Sequence, residues 1–117
     1  MSEESSHLTI AVKDGVHIVD FRDAKIFELA AGNIQNRLLR LVDAEGTIRL
    51  LLSFKNVEYL SSAVLGMLIN VQKAVQQKNG KLILSDLRPR IYAVFQITTL
   101  NKMFNIYDTV EQAVTHF

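Results

Sequence analysis

No cysteine occurs anywhere in the chain, which excludes a disulfide framework and any thiolate metal site. Charge of one sign is scarce as well. Thirteen Lys and Arg stand against twelve Asp and Glu, a formal net of +1. A surface so evenly charged sets up no long-range field to gather nucleic acid or an anionic bilayer, and neither is expected as a partner. Long apolar runs are also missing. The longest, such as Leu50–Leu52 or residues 63–69, fall far short of the roughly 20 residues that span a membrane. Residues 1–7 are polar and carry Glu3 and Glu4, unlike a secretory leader. Membrane insertion is therefore not expected, and the expected location is cytoplasmic.

Patterns that carry catalysis are equally thin. His7, His17 and His116 include no pair at the i, i+4 spacing of a helical zinc site, so no metal is expected. Gly15, Gly32, Gly46, Gly66 and Gly80 stand singly, which leaves no phosphate-cradling loop. A nucleophile-elbow sequence is absent too. The expectation is a binding protein without catalytic residues or cofactor.

What is present is a core. The chain has 117 residues, 49% of them hydrophobic, enough for one compact domain and too few for two. Residues 1–6 are small or charged and read as a frayed terminus, which assigns 1–7 to a flexible N-terminus and 8–117 to the domain. Leu8, Ile10 and Val12 alternate with Thr9, Ala11 and Lys13, the period of a half-buried strand. Asp14-Gly15 is a hairpin signal, and the extended pattern resumes to Phe21. From there Ile26, Leu29, Ala30, Ile34, Leu38, Leu41 and Val42 recur at helical spacing, with Gly46 placed for a left-handed cap. Residues 47–54 are almost continuously apolar, as in a central strand covered on both faces. A loop over 55–60 leads into a second helix that begins at Ser61-Ser62 and closes at Asn79-Gly80. A strand follows at 81–85. Pro89 suits the first turn of a third helix through Ile91, Val94, Phe95 and Ile97. The last elements are a strand near 104–107 and a helix capped by Asp108 or Thr109. The predicted fold is α/β: an N-terminal β-hairpin, then alternating strands and helices, with a mixed central sheet packed with helices.

One segment carries a mechanism, the run from Asn56 to Gly66 that joins the central strand to the second helix. Helix starts expose unpaired N–H groups and the positive end of the macrodipole. A serine there either caps the helix, stabilising it by roughly 1 kcal/mol, or accepts a phosphate of about −1.5 to −2 charges that the helix end tolerates and a docked partner does not.

From about Leu8 onward the chain resembles the STAS domain family. Ser61, Ser62, Ala63, Val64, Leu65 and Gly66 are similar to the family's D-S-S/T-G-L-G or S-S-A-G-L segment. Gly80-Lys81-Leu82-Ile83-Leu84 resembles its G-x-x-L-x-L strand. Residues 94–100 and 104–108 resemble its third helix and last strand. The resemblance implies a bacterial anti-sigma factor antagonist, which binds an anti-sigma factor that is also a serine kinase and regulates transcription by reversible phosphorylation. Aligned on Leu65-Gly66, the family's phospho-acceptor falls on Ser62, with Ser61 as the lesser candidate. The implied partner surface is Glu58, Tyr59, Leu60, Ser61, Ser62, Ala63 and Val64. Two positions depart from the first pattern: Ser61 replaces its aspartate and Val64 its glycine. A STAS scaffold or regulatory subunit of a signalling or transport complex, with no sigma-factor role, is the alternative.

Overall fold

In the computed structural model, which describes residues 2–4 and 7–117, Ser2–Glu4 forms β1, a short strand beside the expected hairpin. Within the stretch read from composition as a frayed terminus, these three residues pair antiparallel with Ala11, Ile10 and Thr9, occupying backbone groups that an edge would leave open. Met1, Ser5 and Ser6 lie outside the described residues. In the hairpin, β2 (Leu8–Lys13) and β3 (Val16–Phe21) pair with Lys13 opposite Val16. Asp14 and Gly15 both take positive φ, 53° and 80°, as in a primed turn whose twist matches the strands it joins.

The chain then makes a strand that no periodicity announced, β4 (Lys25–Ile26), before α1 (Glu28–Glu45). Ala31, Ile34, Leu38 and Val42 form the buried stripe of α1. Ile26 and Leu29, expected within that stripe, do other work: Ile26 is buried in β4, and Leu29 is 82% exposed. Gly46 ends α1 at φ 73° and ψ −111°, a positive φ that suits glycine but not the left-handed helical conformation expected of the cap, and its N–H donates to Val42 O at 2.9 Å.

Next come β5 (Arg49–Ser53), β6 (Tyr59–Leu60), α2 (Ser62–Gln77), β7 (Lys81–Ser85), α3 (Pro89–Ile97), β8 (Asn105–Tyr107) and α4 (Val110–Val114). The main sheet runs β1-β2-β3-β5-β7-β8. β5 lies parallel between β3 and β7, so the sheet is mixed and its interior strand is the continuous apolar run. Leu50, Leu51 and Leu52 are all fully buried. Leu50 and Leu52 join the large core with the stripes of α1, α2 and α3, whereas Leu51 packs with Val16, Ile83 and Ala113 beneath α4. Two covered faces explain why β5 shows no alternation.

Asn79-Gly80 does close α2, with divided roles. Asn79 takes the left-handed conformation at φ 59°. Gly80 makes room, since a Cβ there would lie 2.6 Å from Ile48 O. Pro89 opens α3 as expected. That helix buries Ile91 and Phe95, while Val94 and Ile97, expected with them, face outward at 36% and 82% exposure. Thr109 caps α4, its Oγ1 accepting from Gln112 N at 3.1 Å.

Candidate functional site

The segment between β5 and α2 is held at both ends by apolar side chains. Phe54 and Val57 are fully buried, and the ring of Phe54 packs on Phe21 with centroids 4.8 Å apart. Val57 N donates to Phe54 O at 2.9 Å, closing a turn on which Lys55 and Asn56 are exposed. Asn56 Nδ2 donates to Phe21 O at 3.3 Å, and Arg88 Nη2 donates to Lys55 O at 3.2 Å. The loop is thus tied to β3 on one side and to the start of α3 on the other.

Beyond the turn, β6 pairs in parallel with β4, Tyr59 beside Lys25 and Leu60 beside Ile26. Glu58 N and Tyr59 N both donate to Ala24 O, at 2.7 and 3.1 Å, and Ser61 N donates to Ile26 O at 2.9 Å. This small second sheet fastens the N-terminus of α2 to that of α1. It also sets which of the two serines faces out.

Ser61 is the N-cap residue, with φ −81° and ψ 168°, yet its side chain makes no capping hydrogen bond. Its Oγ is buried and has no hydrogen-bond partner among the described residues. Ser62 is the first helical residue and is exposed. No acidic side chain lies in the first turn of α2. The helix start therefore carries neither a side-chain cap nor a compensating charge, and its positive end stands open beside the Ser62 hydroxyl.

The structure separates the remaining expected site residues by burial. Glu58 and Tyr59 are exposed with Ser62, while Ser61 and Ala63 are half-buried. Leu60 and Val64 of the expected contact surface lie in the core, Val64 completely. Each anchors the helix start from beneath. Val64, where one family pattern carries glycine, fills core volume with an apolar side chain.

Sequence reasoning missed Phe27. Its ring is 55% exposed and stands 5.4 Å from that of Tyr59, tilted by 42°. Lys25, Glu58 and Arg90 line the same concavity. Two-residue strands are too short to show a period, so nothing local signalled that β4 would bring Phe27 to Tyr59.

The histidines are dispersed. His7 Nδ1 lies 2.7 Å from Asp23 Oδ2, His17 Nε2 lies 3.6 Å from Glu45 Oε1, and His116 stacks on Tyr107 with centroids 4.1 Å apart. Among the described residues no cluster of three or more His, Cys, Asp or Glu could hold a metal ion, and no helix is long and apolar enough to cross a membrane.

Comparison with known proteins agrees with this architecture. The STAS domain profile matches residues 7–113. An anti-sigma F factor antagonist of Paenibacillus polymyxa is 30% identical over 66 residues, 56% of each chain, so the match spans little more than half of that relative. The anti-sigma-B factor antagonist of Listeria monocytogenes is 27% identical over 99 residues, 85% of this chain and 86% of its own. Among solved structures, an anti-sigma-factor antagonist (STAS) domain protein from Planctomyces limnophilus superposes with a TM-score of 0.86 at 18% identity, covering 93% of this chain and 96% of that one. That likeness concerns the fold, and the profile match over most of the chain carries the assignment: the protein belongs to the STAS domain family.

Proposed function

We propose that this protein is an anti-sigma factor antagonist, which binds a serine-kinase anti-sigma factor and is released when Ser62 is phosphorylated. The observation that carries the proposal is the exposed Ser62 hydroxyl at the uncapped, uncompensated start of α2. A phosphate there meets the positive helix end, so the fold tolerates it, whereas a partner docked against a neutral hydroxyl meets new charge that must lose water. Relatives named as anti-sigma factor antagonists support the same role. Glu58, Tyr59, Ser61 and Ala63 form the accessible surroundings of the switch. The partner is a protein, and the chain itself performs no chemistry.

Incubation with candidate anti-sigma kinases and ATP, followed by mass spectrometry, tests the assignment. Phosphate is expected on Ser62 in the wild type and lost in Ser62→Ala, with the melting curve nearly unchanged. Phosphate placed on Ser61 at the wild-type rate in Ser62→Ala would move the site. No phosphate with any kinase would favour a STAS subunit outside sigma-factor control.

A further inference from the structure

Beside the switch lies a surface the phosphorylation chemistry does not use. Phe27 and Tyr59 are 55% and 48% exposed and stand ring against ring, in a concavity lined also by Lys25, Glu58 and Arg90. None of these three charged groups has an ion-pair partner among the described residues. Arg90, Val94 and Ile97 follow at spacings of four and three on α3, and Val94 and Ile97 are exposed. That face of α3 thus runs about 10 Å from Arg90 and carries two exposed apolar residues.

We infer that this concavity is the docking point for a protein segment that presents a carboxylate beside an apolar side chain. The apolar side chain lies against Phe27 and Tyr59, and the carboxylate sits between Lys25 and Arg90. Two cations against the single anion Glu58 leave one positive charge unanswered, which an acidic residue satisfies and a basic one does not. Exposed aromatics beside an arginine are the composition of an interface anchor. A second copy of the chain fits less well, because a twofold pairing of this patch brings two surfaces with an excess of positive charge together. An anionic bilayer fits poorly too, since the chain as a whole carries a net charge of only +1. The inference rests on the antagonist role in one respect: it gives the chemistry of the partner segment that reaches past Ser62.

The test uses the full chain carrying Ser62→Ala, so that phosphorylation plays no part. Amide chemical shifts are followed by NMR against a short synthetic peptide alternating Leu and Glu, and against its counterpart alternating Leu and Lys. The acidic peptide is expected to shift Lys25, Phe27, Tyr59 and Arg90 and to bind about fivefold more tightly than the basic one. Lys25→Glu with Arg90→Glu should reverse that preference, and Phe27→Ala should weaken both peptides. Equal binding of the two peptides overturns the inference, as do shifts that map elsewhere. Concentration-dependent broadening of this patch in the free chain would assign it to a second copy, and binding to anionic vesicles but to neither peptide would assign it to lipid. Either result overturns the inference. A charge preference without any kinase reaction at Ser62 in the wild type defeats the antagonist proposal alone. Phosphorylated Ser62 without a charge preference defeats this inference alone.

Discussion

Ser61 and Ser62 carry the same hydroxyl one residue apart, and the backbone gives each a different task. Ser61 turns its Oγ inward, where it finds no partner among the described residues, so the usual cost of deleting a cap, about 0.5–2 kcal/mol, should not apply. Ser61→Ala is expected to change the unfolding free energy by less than about 0.5 kcal/mol in a denaturant titration. A loss of about 1 kcal/mol or more would mean that the hydroxyl caps α2 in solution. Ser62→Asp places a carboxylate at a helix start that has no acidic residue and should raise stability by about 0.3–1 kcal/mol at low salt, an effect that fades as salt is added. The presence of a serine pair at the head of a helix was legible in the sequence. Which hydroxyl faces water was not, because the backbone bond from Ser61 N to Ile26 O decides it, and nothing local to either segment encodes that bond.

At the scale of elements, the turns were the most legible features, because their residues have few alternative uses. Asp14, Gly15 and Gly46 all take the positive φ their residue types favour. Gly80 is instructive in another way: its φ is not in the left-handed region, and its lack of a side chain serves the close pass of α2's end over Ile48. Gly80→Ala should therefore destabilise the domain by about 1–3 kcal/mol, since the obstacle is backbone and cannot rotate aside. Thermal unfolding would show it, and a neutral outcome would mean that the α2–β7 connection shifts freely. Helix faces were less legible. Leu29 and Ile97 fit an apolar period yet point to solvent, because a period fixes a stripe's spacing and not which neighbouring residues at its border are covered. β4 and β6 left no trace at all. Their two-residue lengths show no alternation, and they pair between segments far apart in the chain, at the heads of the packed helices α1 and α2.

For the molecule as a whole, the site is a product of layering. The expected order of strands and helices, with β5 inside a mixed sheet, follows from one unbroken apolar run covered on both faces. The candidate site was legible only along the chain, as the segment from Asn56 to Gly66. Phe27 and Arg90 reach it through tertiary packing. That dependence has a consequence for how an enzyme could find Ser62. A segment cut from the chain, spanning residues 55–70, would lose the β4 pairing and the packing of α1, and a helix so short is marginal in water when isolated. Ser62 would then sit in a disordered peptide without the helix end, the aromatic pair or the cations around it. On the proposed function, the kinase would have to read an assembled surface, since the few residues flanking the serine do not by themselves reproduce it. The isolated segment should be a far poorer substrate than the whole chain in a phosphate-incorporation assay, and equal rates would show that the address is written linearly after all. On the proposed function, phosphorylation of Ser62 would in that sense be a proofreading of the fold: only a correctly folded copy would be marked.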